Sequence, residues 1–288
     1  MALTTTLLPD LSYVNRGYLF SAYVLLFAAS VLVGQHLSLR LLCWLALAVV
    51  LGALLNVTKL PVGLLSQKNQ LGTYLTLALV SLLYLRETNK ITVHTLAVCS
   101  VLLLYAANAS GSRGVLLYLV VLLCYRRNIH TAFWLVAFMF MPSSLIGNAL
   151  STNAVTELPR LLMLQEAYAE WTNSFTSYVF GIGAGQLFIP MPQYKQIADH
   201  CHNIFLQLLT ETGVVGTTLA CAGVFGWMLN FLRRDESAEW WWVFSVFTVL
   251  GMHSVWEYPL WYAFFLVPFG LVIGIGAQLE HTKSNTTV

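Results

Sequence analysis

The chain has 288 residues, of which 58% are hydrophobic and 9% are charged, and its formal net charge is +2. Water-soluble domains usually carry about 25% charged residues, so this composition excludes that class. The small net charge gives no indication of a nucleic-acid partner. The five cysteines lie mainly in apolar runs, where we expect buried thiols rather than a disulfide framework.

Apolar runs recur along the chain, and a transmembrane helix needs about 20 mainly apolar residues. They predict an all-α polytopic membrane protein with about nine transmembrane helices, in a single membrane domain over residues 1–288. In chain order the predicted spans are residues 13–33, 38–57, 70–85, 91–109, 113–125, 131–146, 213–232, 240–257 and 260–278.

The lysines and arginines between these runs predict the orientation, because cytoplasmic loops carry more of them. With Arg126, Arg127, Arg233 and Arg234 in the cytoplasm, eight of the 14 lysines and arginines lie on that side. Residues 147–202 then form a large extracytoplasmic loop that carries short helices. The amino terminus is predicted outside and the carboxyl terminus inside. An outside start without a signal sequence leads us to expect that helices preceding this point in related chains are absent here.

The large loop contains two local patterns. Thr156 and Pro159 predict the start of a helix that continues to Trp171. Alternating glycines from Gly181 to Gly185 would let the backbone approach a phosphate, although a flexible turn is the simpler interpretation.

The most informative polar stretch covers residues 199–213. A helix that begins at about Asn203 would place Asn203, Gln207, Thr210 and Glu211 on one face and apolar residues on the other, as in a helix at a membrane interface. The two histidines of this stretch, His200 and His202, stand before its first turn, where the free backbone N–H groups favour anions.

Two arginines are candidates for binding phosphate. Arg113 lies among small residues between two predicted spans, and Arg160 lies in the large loop. Planar guanidinium groups match the oxygens of a diphosphate and keep their charge. The alternatives are a snorkelling interfacial arginine for Arg113 and a solvated loop charge for Arg160.

Histidine and carboxylate side chains offer acid–base chemistry. His202 is a candidate general base, against a structural role for a single loop histidine. The pair His200 and His202 lacks a third ligand at a recognised spacing, so no metal site is predicted. Glu211 would orient His202 or an acceptor hydroxyl, or would simply lie at the interface.

A second polar group follows near the end of a predicted span. His253 and Glu257 are spaced i, i+4, so they line a cavity together or pair with each other at the membrane rim. Tyr258 and the neighbouring aromatic residues fit an interfacial belt, and their ring faces also suit sugars.

These motifs, in their order and spacing, resemble the O-antigen ligase and oligosaccharide polymerase superfamily of bacterial inner membranes. The carrying residues are Ser112-Arg113-Gly114, Arg160, the run from Gly181 to Gly185, and His202-Asn203-Ile204-Phe205-Leu206-Gln207 with Glu211 and Gly213. The ending Glu257-Tyr258-Pro259-Leu260 and the earlier Gln67-Lys68-Asn69-Gln70-Leu71 look more like the protein O-oligosaccharyltransferase branch, which glycosylates pilins and other exported proteins. Relatives usually have about a dozen spans and continue past the last helices, so this chain is expected to lack amino-terminal helices and a carboxyl-terminal region.

The resemblance implies transfer of an oligosaccharide from an undecaprenyl-diphosphate carrier to a serine or threonine hydroxyl of a periplasmic protein or pilin. His202 would deprotonate the acceptor hydroxyl, and Arg113 and Arg160 would hold the diphosphate. His200, Asn203, Glu211, His253, Glu257 and Tyr258 are the candidate substrate-binding residues. No cofactor is implied, and the site would face the periplasm from the inner membrane.

Other functions are compatible with parts of the pattern. The acceptor could instead be lipid A core sugar, as in a ligase, or another glycan, as in a polymerase. A membrane transporter, using His253 and Glu257 as its pathway, should show two similar halves with broken helices, and the sequence has no such halves. For an enzyme we expect Arg113, Arg160 and His202 to converge in one outer cavity.

Overall fold

The computed structural model describes residues 13–58, 63–65, 67–112, 154–191, 196–233 and 237–284. The predicted spans at residues 113–125 and 131–146 and the candidate Arg113 lie outside the described residues.

Nearly all described secondary structure is helical. The helices are α1 (Tyr13–His36), α2 (Leu42–Val57), α3 (Lys68–Glu87), α4 (Val93–Ser110), α5 (Ala154–Thr172), α6 (Phe175–Phe180), α7 (Ile204–Leu232), α8 (Ala238–Trp256) and α9 (Ala263–Ser284). Short 3-10 helices occur at Leu39–Leu41, Gly63–Leu65 and Pro259–Trp261. Two antiparallel strands, β1 (Ile189–Met191) and β2 (Gln196–Ala198), form a hairpin with Pro190 opposite Ile197.

The all-α class predicted from composition is confirmed. Four segments of the described chain are long and apolar enough to cross a membrane, namely Tyr18–His36, Leu39–Val57, Val93–Ser110 and Ile204–Leu232. A shorter apolar stretch, Ala263–Leu279, lies in α9. The total of nine spans and the extracytoplasmic loop remain predictions.

The described chain forms two compact units. One comprises residues 36–152 and 235–252, and in it α3 packs against α2 and α4. Leu71, Leu75 and Leu79 of α3 are almost fully buried, as expected for a helix that neighbours surround. The Trp242 indole N–H, also buried, donates to Ser81 Oγ over 3.1 Å.

The other unit comprises residues 1–35, 153–234 and 253–288 and holds the candidate site. Here α1 approaches α9 closely because small residues line the contact. A Cβ atom added to Gly34 would collide with the Leu271 carbonyl, and one added to Gly274 would collide with the Val31 carbonyl. Small residues at such a crossing let two helix backbones pack directly in a membrane.

A break at Gly213 divides α7 into two parts. Gly213 has φ 64° and ψ −171°, a non-helical backbone conformation within the helix. The polar first part, before Gly213, corresponds to the helix predicted at the interface, and the apolar second part corresponds to the predicted span at residues 213–232. Glycine is suited to this position because a positive φ strains residues that carry a Cβ atom.

Candidate functional site

The loop that follows α6 is fastened to the break in α7. Ile182 N–H donates to the Thr210 carbonyl at 2.8 Å, and Gly183 N–H donates to the Glu211 carbonyl at 3.1 Å. These carbonyls lose their helical partners where Gly213 interrupts the helix, so the loop caps them. Gly181 must lack a side chain, because an added Cβ atom would collide with the backbone of Glu211. The glycines thus serve close backbone packing.

The polar face of the first part of α7 points into the protein. Gln207, Thr210 and Glu211 are 1%, 0% and 3% exposed. Thr210 Oγ1 donates to the Ala167 carbonyl of α5 at 3.1 Å, and Gln207 Nε2 donates to Glu211 Oε1 at 2.8 Å. Buried polar groups need such partners. The amphipathic pattern was therefore predicted correctly, and its polar side packs against neighbouring elements.

A small apolar core includes the residue between the two histidines. The other contributions come from α5, the hairpin and the loop before the hairpin, and the buried members are Met163, Ala167, Leu187, Ile189, Ala198 and Cys201. Burial raises the pKa of the Cys201 thiol to about 11, which makes Cys201 a packing residue at neutral pH.

His202 occupies an unusual backbone conformation directly before α7. Its φ is 57°, in the left-handed region that few residues other than glycine adopt. Next to it, Asn203 caps the helix, because its Oδ1 accepts the Leu206 N–H at 3.0 Å. Asn203 Nδ2 also donates to the Val255 carbonyl at 2.8 Å and so connects the start of α7 to the end of α8.

Glu257, the first residue after α8, joins Arg160 and His202. Its Oε1 accepts from Arg160 Nη2, and its Oε2 lies 3.0 Å from His202 Nδ1. One carboxylate therefore holds a guanidinium from α5 and an imidazole from the start of α7. His253, one turn earlier in α8, is 2% exposed and contacts the Phe265 ring edge-on.

The electrostatics of this group favour an ionised Glu257. Burial alone would raise its pKa, but the hydrogen bond with His202 and the positive charge of Arg160 outweigh burial and lower the pKa to about 2. An ionised carboxylate only accepts hydrogen bonds, so Nδ1 of a neutral His202 carries the proton. Nε2 of His202 is then the basic nitrogen.

His200 and Tyr258 form a second contact beside this group. Their rings stack with centroids 3.8 Å apart, and the His200 ring lies edge-on to His202 at 4.5 Å. His200 Nδ1 lies 2.7 Å from Asp199 Oδ1, a partner that sequence reasoning did not assign. Burial lowers the pKa of His200.

The structure brings most of the candidates together. Hydrogen bonds or ring contacts link Arg160, Glu257, His202, His200 and Tyr258. Asn203 follows His202 and bonds to the Val255 carbonyl, whereas Glu211 bonds to Gln207 on the buried face of α7. A small, partly open pocket lies here, lined by Asn203, Gln207, Ser254, Glu257, Tyr258 and Trp261 among others. In the described ranges, no group of three or more His, Cys, Asp or Glu residues is placed to hold a metal ion.

Comparison with known proteins gives two matches. Residues 241–287 match the family described as virulence factor membrane-bound polymerase, C-terminal. Over 236 residues the chain is 22% identical to the ComP-specific O-oligosaccharyltransferase of Acinetobacter baylyi, covering 73% of this chain and 42% of that protein. The chain thus spans less than half the length of this relative. No solved structure matches it significantly.

Both matches agree with the motifs. The polymerase match includes Glu257, Tyr258 and Pro259, and the aligned relative is a ComP-specific O-oligosaccharyltransferase. The predicted resemblance to the O-antigen ligase and oligosaccharide polymerase superfamily, closest to its protein O-oligosaccharyltransferase branch, is thereby confirmed.

Proposed function

We propose that this chain transfers an oligosaccharide from an undecaprenyl-diphosphate carrier to a serine or threonine hydroxyl of a periplasmic protein such as a pilin. The observation that carries the proposal is the contact of one carboxylate, Glu257, with both His202 and Arg160. This arrangement combines a base for a hydroxyl with a cation for a phosphate in one place. The two matches support glycan transfer as the general activity.

His202 is the proposed base. Glu257 fixes the imidazole ring and holds the proton on Nδ1, so Nε2 accepts the proton of the acceptor hydroxyl. The hydroxyl oxygen forms a bond to the anomeric carbon of the sugar, while the bond from that carbon to the diphosphate oxygen breaks. The electron pair leaves with undecaprenyl diphosphate.

Arg160 is proposed to stabilise the negative charge that develops on the departing diphosphate, together with Arg113. The Arg160 side chain is 36% exposed, and its Nη2 donates to Glu257. A guanidinium has five N–H donors, so Arg160 can bind Glu257 and phosphate oxygens at the same time.

The remaining candidates are proposed to shape the substrate site. The stacked rings of His200 and Tyr258 and the amide of Asn203 lie beside the proposed base. Glu211 and His253 are buried, so we propose that they hold the residues of the site in position. The reaction would take place at the periplasmic face of the bacterial inner membrane, where a flipped lipid-linked donor presents its sugar.

A second candidate function is polymerisation, with a glycan as the acceptor. The match of residues 241–287 to a membrane-bound polymerase family favours it. The donor chemistry would be the same, and only the source of the attacking hydroxyl differs. Ligation to lipid A core is the third acceptor class to test.

The test measures transfer by the purified protein in lipid vesicles that contain undecaprenyl-diphosphate-linked oligosaccharide. Parallel reactions contain a pilin, lipid A core or free glycan, and mass spectrometry detects the modified acceptor. We expect the pilin to be modified, and we expect His202→Ala and Arg113→Ala to reduce transfer by about 10²-fold or more.

The matched control is Glu170→Gln, since Glu170 is an exposed residue of α5 outside the proposed site. It should transfer at the wild-type rate. Normal transfer by the His202 and Arg113 variants, with unchanged melting temperatures, would remove these residues from the mechanism. Modification of free glycan alone would assign the polymerase function.

A further inference from the structure

Exposed aromatic side chains are grouped on α5 and α6. Tyr168, Phe175, Tyr178 and Phe180, here called the aromatic surface, are 56%, 82%, 45% and 64% exposed. Trp171 fixes part of it, because its ring stacks on Tyr178 with centroids 4.9 Å apart. Its indole N–H also donates to the Tyr178 carbonyl at 3.1 Å. Exposed aromatic residues grouped in this way indicate an interaction surface.

The position of α6 along α7 is fixed. A Cβ atom added to Gly213 would collide with the backbone of Val179 and Phe180, so the end of α6 lies directly against the break in α7. Residues 214–232 follow that break and, at 1.5 Å per residue, span about 28 Å. The hydrocarbon core of a bilayer is about 30 Å thick. If residues 214–232 cross the bilayer, the break and α6 lie at the level where hydrocarbon meets headgroups.

The second part of α7 carries an exposed apolar surface that begins close to the break. Val215, two residues after the break, is 43% exposed, and Leu219 and Phe225 further along are 70% and 62% exposed. The aromatic surface thus stands beside the end of an exposed apolar face on the helix against which α6 packs. This continuity favours lipid as the occupant of both surfaces.

The charges of α5 lie on another side of the helix. Glu166 and Glu170 are each two residues from Tyr168, which places them about 160° around the helix from it. Both glutamates are exposed. The side that carries Tyr168 is therefore separated from the acidic side, as expected for a helix with one side toward lipid and the other toward water.

We propose that the aromatic surface inserts into the interfacial region of the bilayer and anchors α6 there. Phenylalanine rings have no polar group and gain most from the acyl chains, whereas tyrosine rings place their hydroxyl groups among the headgroups. The anchor holds the loop after α6, and hence the break in α7, at a constant depth. This inference goes beyond the proposed function and does not depend on the reaction catalysed.

Electron paramagnetic resonance on single spin labels tests the depth. The native cysteines are replaced, and Phe175→Cys, Phe180→Cys or Tyr168→Cys is labelled in the full chain. The labelled protein is reconstituted into vesicles of phosphatidylethanolamine and phosphatidylglycerol. We expect these labels to collide more with oxygen, which concentrates in lipid, than with a water-soluble nickel chelate. Each position is labelled in a separate variant, so two positions still give a result if one variant folds poorly.

Glu170→Cys is the matched control on the same element, and its label should collide mainly with the nickel chelate. Nickel-dominated collisions at the three aromatic positions, in protein with a wild-type melting temperature, would overturn the proposal. The proposal would also be overturned if the labels lost their access to nickel only after free oligosaccharide was added. That result would assign the aromatic surface to glycan binding.

Discussion

At the scale of single residues, the contacts of Glu257 explain how an ionised carboxylate is accommodated at the end of a long apolar helix. A carboxylate in such a position is unfavourable unless it is paired. Arg160 and His202 both contact it, so two partners share one acceptor. The sequence pointed to each of these three residues separately. It did not predict the pairing, because the i, i+4 spacing favoured His253 as the partner of Glu257.

Glu257→Gln tests the role of this carboxylate in orienting His202. Glutamine keeps the size of the side chain but removes the charge that fixes the His202 proton on Nδ1 and neutralises Arg160. We expect kcat for glycan transfer to fall about 10²-fold or more, with a smaller change in KM. Steady-state kinetics with lipid-linked donor measure both values.

Glu166→Gln is the control for this variant, because it makes the same chemical change on an exposed residue of α5. A Glu257→Gln enzyme that keeps the wild-type kcat would show that the carboxylate does not orient the base. Equal losses in both variants would point instead to a general effect of charge.

The pKa of Glu257 gives a second prediction at this scale, on stability against pH. Its value of about 2 in the folded chain is below the ordinary value of 4.5. A group that is more acidic in the folded state stabilises the fold above its unfolded pKa, and this contribution disappears as pH falls from about 4.5 to about 2. We expect it to be of order 1–3 kcal/mol, because the group is buried and paired.

Melting temperatures in detergent measure this contribution when wild type and Glu257→Gln are compared. The difference between them should be constant from pH 7 to pH 5 and should shrink below about pH 4.5. A difference that stays constant down to pH 3 would contradict a carboxylate stabilised by Arg160 and His202.

At the scale of elements, hydropathy and periodicity predicted much of what the structure describes. Predicted spans in the described ranges coincide with helices, because about 20 apolar residues have few alternatives to a helix in a membrane. The face shared by Gln207, Thr210 and Glu211 was also predicted from helical spacing. That this face packs inward was not, because the packing depends on Ala167, more than 40 residues away.

The glycine run shows a similar limit. Gly181 and Gly183 gave a pattern compatible with a phosphate loop or a turn, and the structure uses them to approach the carbonyl ends of a broken helix. The glycines of a local sequence indicate that the backbone approaches another group closely. Which group it approaches depends on the tertiary structure.

Gly213→Ala tests the contact at the break in α7. Alanine would be strained by the positive φ, at about 1–3 kcal/mol, and its Cβ atom would also displace the end of α6. We expect a lower melting temperature and faster proteolysis between α6 and α7. Both are measured on purified protein in detergent.

Gly223→Ala provides the matched control in the same helix. An added Cβ atom at Gly223 meets nothing within 4 Å, and alanine favours a helix over glycine by about 0.5–1 kcal/mol. This variant should melt at or above the wild-type temperature. If Gly213→Ala does the same, the close contact between α6 and α7 is not a determinant of stability.

At the scale of the whole molecule, the chain covers less than half of its aligned relative. The residues that would act as base and orienting carboxylate lie nevertheless within one compact unit. His202 and Glu257 are separated by 55 positions in the chain, and the capping of α7 by Asn203 connects their two segments. The geometry of the proposed base therefore depends on the packing of that unit.

The orientation of this unit in the membrane is the remaining prediction. Residues 214–232 are long enough to separate two aqueous faces, and Arg233 and Arg234 follow them directly. Positive charges favour the cytoplasmic face, which leaves His202 on the periplasmic side.

Asn173→Cys and Ser237→Cys, each in a chain without other cysteines, mark the two sides of α7. A maleimide that cannot cross the inner membrane should label position 173 in intact cells and position 237 only after lysis. The reverse pattern would place His202 in the cytoplasm, where a flipped lipid-linked donor does not present its sugar, and the proposed transfer reaction would then be excluded.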